Sequence, residues 1–204
     1  KAGGLPLYEG RKEETIAIIH GAGAGPDFAE VEELKVIEKG ANFAYLGYAD
    51  ERVTIVHGGK AQSPVDKVAY LGMTKPSENL IAAVVDGESM KVYHQNKFSK
   101  SALAILGLKA LKEDGLAWKI DDGEGERVVR NHDRGPRFEM IGKLNVSPGG
   151  KLWYDGNKDD RVHRVLIDKV GTPADRVTAP VFTPDEDQMV YGHMREAADD
   201  RDPD

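Results

Sequence analysis

The stretch Ser99-Lys100-Ser101-Ala102-Leu103-Ala104-Ile105-Leu106-Gly107-Leu108-Lys109-Ala110-Leu111-Lys112-Glu113-Asp114-Gly115 decides the fold class. Ser99 is placed as an N-cap, and Leu103, Leu106, Ala110 and Leu111 recur at helical spacing. Gly115 is placed as the stop. The segment therefore reads as the strongest helix in the chain. Two stretches upstream share its grammar. Ser63-Pro64-Val65-Asp66 offers a cap, a proline suited to the first helical position and an acid for the first turn, with Val65, Val68 and Leu71 as the apolar face. Pro26 and Asp27 precede Phe28, Val31 and Leu34 in the same way.

Strands flank each of these helices. Residues 15–20 form one, and residues 43–46 and 53–56 form two around Ala49-Asp50-Glu51. Residues 80–85 and 90–94 enclose Asp86-Gly87-Glu88, the best hairpin signal in the chain. Residues 116–120 and 127–130 flank the turn at 121–126. The expected fold is α+β, with strand-helix-strand units in the N-terminal two-thirds and a strand-rich C-terminal third. The strands of that third are at 138–144, 152–154 and 162–167. Residues 1–12 are an extended arm, interrupted by Gly3, Gly4, Pro6 and Gly10. Residues 13–183 make a single domain, and 184–204 a short C-terminal helix with an acidic tail. Thr183-Pro184-Asp185-Glu186 is a capping box for that helix, and Met189, Val190 and Met194 supply its apolar side.

A spacing of 37 relates His20, His57 and His94, each closing a strand. At the same offset Val31, Val68 and Ile105 align, as do Leu34, Leu71 and Leu108. Identities are few, so coincidence between ordinary strand-helix-strand segments is preferred over a true internal repeat within 15–130.

The chain has 204 residues and a formal net charge of −7, to which residues 185–204 contribute eight acidic residues against two arginines. The body is close to neutral, and the tail carries solubility or meets a basic partner. No basic stripe suits phosphate neutralisation, which argues against nucleic acid as a partner. No apolar run approaches the ~20 residues of a membrane span. Lys1-Ala2-Gly3-Gly4 has no signal-peptide core, and a start without Met suggests processing or trimming. A soluble virion or cytoplasmic location is expected. With no cysteine there is neither a disulfide framework nor a thiol nucleophile.

Several motifs bear on chemistry. Gly21-Ala22-Gly23-Ala24-Gly25, between a strand and a helix, suits a phosphate cradle, but it lacks the dinucleotide spacing and a following Gly-Lys-Ser/Thr. A plain connection is expected there. Gly87-Glu88-Ser89-Met90 resembles the nucleophile segment of self-cleaving repressor-type peptidases. That resemblance implies a lysine partner, and residues 121–130 contain none, so Ser89 is read as a strand residue. Asp155-Gly156-Asn157-Lys158-Asp159 has the alternating oxygens of a calcium loop, yet Asp160 stands where glycine belongs and Leu166 where a bidentate glutamate belongs. A hairpin turn explains it better, and Asp121-Asp122-Gly123-Glu124-Gly125-Glu126 is weaker still. His20, His57 and His94 could converge on a metal only if the repeat were pseudo-threefold, so surface strand-end histidines are expected. His132, His163 and His193 have no evident nucleophile or orienting partner.

No catalytic, cofactor-binding or metal residue is assigned, and no cofactor is expected. The expected function is a non-enzymatic structural or assembly subunit, such as a virion, tail or filament component, with copies of itself as partners. The alternatives are an α/β-type enzyme binding a phosphorylated ligand at the glycine loop, and a calcium-dependent module using Asp155, Asn157 and Asp159.

Overall fold

The structure, a computed structural model, describes residues 1, 3–37, 42–74, 77–113, 115–183 and 188–195. Every regular element among them is a β-strand. The α+β expectation is therefore corrected to all-β, and no described helix is long and apolar enough to cross a membrane. The chain divides into two compact units, Lys1–Ile105 with Lys112–Leu116, and Leu106–Leu111 with Ala117–Asp204.

In the first unit, β1 (Leu7–Lys12), β2 (Thr15–His20) and β3 (Gly23–Ala24) form a three-stranded antiparallel sheet. Residues 7–12, read above as part of an arm, pair along their whole length with β2. Next come β4 (Glu30–Ile37), β5 (Asn42–Ala49), β6 (Arg52–His57) and β7 (Lys60–Ala61), a meander in chain order. The same meander recurs in β8 (Lys67–Met73), β9 (Leu80–Asp86), β10 (Ser89–His94) and β11 (Lys97–Phe98).

The second unit holds most of the sheet β12 (Ala104–Ala110), β13 (Leu116–Asp121), β14 (Glu126–Arg130) and β15 (Asp133–Phe138). A five-stranded sheet follows, in which β16 (Met140–Ile141) and β17 (Asn145–Val146) both pair with β18 (Leu152–Lys158). It continues through β19 (Arg161–Leu166) to β20 (Lys169–Val170). Two short ladders close the described chain. They are β21 (Arg176–Val177) with β24 (His193–Met194), and β22 (Val181–Phe182) with β23 (Met189–Val190). The expected C-terminal helix is thus a pair of strands over its described residues. Thr183 closes the inner ladder, its amide donating to the Gln188 carbonyl at 3.1 Å. Glu186 and the acidic residues beyond Arg195 lie outside the described residues.

One pairing recurs through all of this. Ile16 meets Phe28, Val53 meets Val65, Met90 meets Ala102, Glu126 meets Phe138 and Val162 meets Ala174. Members are 12 residues apart in every case, and successive pairs are offset by 37, 37, 36 and 36. The second member is always buried. The repeat is therefore real, which corrects the preference for coincidence, and its unit is a strand meander.

The prolines and acids that imitate helix starts serve this pairing. The fourth strand of each unit follows the third, as in Gln62 N–H donating to Ile55 O at 2.9 Å and Ser99 N–H to Val92 O at 2.7 Å. The ladder then lapses for two residues before the buried bridge. Pro26, Pro64 and Pro173 sit in these lapses, where a missing N–H costs a strand nothing. Asp66 accepts from the Gly87 amide at 2.6 Å and so closes the β9–β10 turn. Arg52 joins Asp66 at 3.4 Å and Asp86 at 2.7 Å. The Ser99 hydroxyl accepts from Val92 N–H at 3.0 Å, so it secures β10 instead of capping a helix. Leu103 and Leu106, assigned to an apolar helix face, are 59% and 46% exposed.

Each unit builds its own core. Ile37, Leu46, Ile55, Val65, Leu80, Val84 and Tyr93 pack together in the first, and Phe138, Ile141, Leu152, Tyr154 and Val165 in the second. Bridge residue and facing strand exchange volume. A Cβ at Gly47 of β5 would run into the Phe28 ring, and one at Gly156 of β18 into the Phe138 ring. At the equivalent places Val65 and Val84 share a core. Gly47→Ala should cost about 1–3 kcal/mol in urea unfolding, the usual range for overpacking. Phe28→Val combined with Gly47→Ala should lose less than the sum of the two single changes, because the pair is in contact.

Candidate functional site

The three histidines at 37-residue spacing close β2, β6 and β10, as the sequence suggested. They are not surface residues: His57 and His94 are buried, and His20 is half-buried with its ring 5.0 Å from that of Phe43. Among the described residues no group of three His, Asp or Glu side chains is placed to hold a metal. His132 stands in a two-residue turn at φ 78° and meets Trp118 edge-on. His163 faces Phe138, and His193 lies exposed in β24.

The glycine loop is a hairpin turn and an edge strand. Gly23 and Ala24 pair with His20 and Ile19, and Gly25 N–H donates to Ile18 O at 2.9 Å. No helix follows, so the phosphate-binding α/β alternative loses its physical basis. A Cβ at Gly25 would lie 2.7 Å from the Tyr45 hydroxyl and 3.2 Å from Ile18 O, so the buried phenol, with the neighbouring strand behind it, is what requires glycine there. Burial pushes the Tyr45 phenol up to about 12. Ser89 is the first residue of β10, its hydroxyl donating to Asp86 O at 3.0 Å. The hydrogen bond from Lys91, helped by Arg52, holds the Asp86 carboxyl below its ordinary value against the opposing effect of desolvation.

Asp155, Asn157 and Asp159 lie in the β18–β19 hairpin, whose turn is Asp159-Asp160. Asp155 accepts two hydrogen bonds from the buried Arg164, at 2.8 and 2.9 Å. Arg164 also donates to Thr178 O at 2.6 Å and stacks on Trp153 and Tyr191, 5.2 and 4.8 Å from their centroids. The carboxylate needed to begin a calcium loop is committed to an arginine.

The place where polar side chains do converge is a cleft of about 300 Å³ in the first unit. It is lined by Asn42, His57, Gly58, Lys60, Gln62, Tyr93 and Asn96. A second hollow of about 210 Å³ shares His57 and Asn96 and adds Asn79, Leu80 and Gln95. The centre is fixed from both sides. The Phe43 amide donates to Asn42 Oδ1 at 2.9 Å, which turns Asn42 Nδ2 toward His57 Nε2 at 3.4 Å. With Nε2 accepting, the imidazole proton sits on Nδ1 and donates to the Tyr93 hydroxyl at 3.1 Å. Among the described residues no carboxylate, serine or threonine lines either hollow. The arrangement can orient a ligand through its amide, imidazole and ammonium groups. Of its residues only His57 was singled out in the sequence. The five amide side chains come from strand starts and turns that share no motif.

In urea unfolding Gly25→Ala should cost about 1–3 kcal/mol through overpacking. Gly23→Ala, whose Cβ would have 3.7 Å of clearance, should stay within about 0.5 kcal/mol. Calcium at ~1 mM, the weak end of protein sites, should leave the thermal midpoint unchanged, whereas Asp155→Asn should lower it.

No family model matches this chain, and no curated protein does. Solved structures give distant likenesses. TolB from Acinetobacter baumannii is 12% identical with TM-score 0.38, covering 90% of this chain and 56% of its own. The dihydro-heme d1 dehydrogenase NirN, in complex with DHE, is 11% identical with TM-score 0.37, covering 83% and 44%. A streptogramin B lyase is 9% identical with TM-score 0.32, covering 97% and 82%. The chain spans about half the length of the first two. None of the three is named as a virion, tail or filament component.

Proposed function

We propose that this protein is a non-enzymatic scaffold of repeated β-units that works by holding other protein subunits, its own copies first. The observation that carries the reading is the recurrence of exposed apolar side chains on the first strand of successive units. Val36 on β4 and Met73 on β8 are 37 residues apart and about equally exposed, at 39% and 40%. Leu34 on β4 and Tyr70 on β8 are exposed on the same two strands. Single exposed apolar residues are ordinary, but a series on equivalent strands suits a contact surface.

These first strands stand at the edges of their sheets. β4 and β8 are each interrupted by a register shift, between Glu32 and Lys35 and between Val68 and Tyr70. Such irregularities obstruct edge-to-edge strand addition. Partners would therefore meet the side chains of these strands, not extend their ladders. The repeated unit has the four-stranded antiparallel order of a propeller blade, a building block used widely for binding surfaces.

Sedimentation velocity between about 1 and 100 μM tests the reading. The wild-type chain should self-associate, and Tyr70→Lys with Met73→Lys should shift it toward monomer with unchanged circular dichroism. A wild-type monomer throughout that range would overturn self-assembly.

A further inference from the structure

We infer that a hollow of about 490 Å³ in the second unit binds a small amphipathic anion, an acidic head group on an apolar body. Its volume lies within the roughly 300–1,000 Å³ of small-molecule sites, which combine a mainly apolar lining with a few placed polar groups. The apolar wall is Leu106 and Leu108 of β12 with Ile141 and Leu144 around the end of β16. Lys109 of β12, Lys119 of β13 and Lys143 after β16 bring three lysines to the same hollow from three separate stretches of chain. Neither Lys109 nor Lys143 has an ion-pair partner among the described residues. Lys119 Nζ donates to Ile141 O at 2.7 Å and meets Glu126 at 3.3 Å, which leaves the third of its N–H groups for a ligand.

The repeat supplies an independent observation, because packing alone does not require these charges. Lys119 faces Val128 across the β13–β14 ladder, as Leu46 faces Ile55 and Ala83 faces Val92 in earlier sheets. Leu46 and Ala83 are buried. Glu126 likewise takes the bridge position held by Val53 and Met90. An ammonium and a carboxylate, 17% and 16% exposed, thus stand where sister sheets place apolar side chains, and their desolvation is costly. Departures of this kind from the pattern of a fold concentrate at functional sites. The stretch bearing Lys143 is fixed without a ligand: the Gly142 amide donates to Asp155 O at 2.8 Å, and Asn145 Nδ2 to Lys143 O at 2.9 Å. Gly107 also lines the hollow, at the place of Tyr70 one unit earlier, and a Cβ there would meet nothing within 4 Å. The absent side chain helps to leave the hollow open.

Octanoate and octyl phosphate should be titrated separately into the full chain by calorimetry, with acetate and inorganic phosphate as bare head groups and 1-octanol as the neutral body. At least one of the two amphiphiles should bind with Kd of about 1 mM or tighter, and the bare heads and the alcohol about tenfold more weakly or worse. Lys109→Met combined with Lys143→Met should weaken the bound amphiphile about tenfold, with unchanged circular dichroism. Gly107→Leu, whose Cβ has open space, should fill the hollow and weaken binding while leaving thermal unfolding unchanged. Failure of both amphiphiles to bind would overturn the inference. So would a bare head group or the alcohol binding as tightly as the amphiphile, or amphiphile binding that both variants leave unchanged.

Discussion

The pairing of residues 12 apart is the constraint on which the rest of the structure depends. Each pair returns the chain to the third strand of one sheet just before it enters the first strand of the next. The buried member, Phe28, Val65, Ala102, Phe138 or Ala174, is held by its backbone and by its side chain together. At four of the five bridges the backbone groups are mutually hydrogen-bonded, as between Val53 and Val65 at 2.8 and 2.9 Å. Burying such groups unpaired would cost more than most single contacts contribute. This arrangement fixes where every following strand begins, and so the register of the meander.

The strands and hairpins were legible in the sequence where alternation and turn chemistry agreed. Asp86-Gly87-Glu88 gave β9 and β10 almost to the residue, and Asp50-Glu51 separates β5 from β6 as expected. The helices were not helices because three signals coincided for another reason. Pro64 and Pro26 interrupt a sheet edge, Asp66 closes a neighbouring turn, and Leu103 and Leu106 face solvent. A run of leucines with intermittent exposure satisfies helical spacing as well as it satisfies an edge strand. The histidine spacing was the sound clue. It is a sparse one, because the units share positions and pairing more than they share residues.

The cleft was legible only through His57. Asn42 opens β5, Asn79 precedes β9, and Gln95 and Asn96 turn between β10 and β11. Residues from a strand start and two connections come together only once successive sheets are assembled. The exposed apolar residues shared by β4 and β8 have the same origin. They become visible when equivalent strands are compared, and they look random along the chain.

The exchange of volume between Phe28 and Gly47, and between Phe138 and Gly156, bears on how such a chain can evolve. A phenylalanine bridge needs glycine on the receiving strand, whereas Val65 coexists with Val84. Copying a single sheet and inserting it elsewhere in the chain would place a ring against a side chain, or leave a void opposite a glycine. The heritable module is therefore the joint between consecutive sheets: the end of one together with the second strand of its successor. Duplications cut between the second and third strands of a sheet preserve that joint, and those that cut between sheets break it.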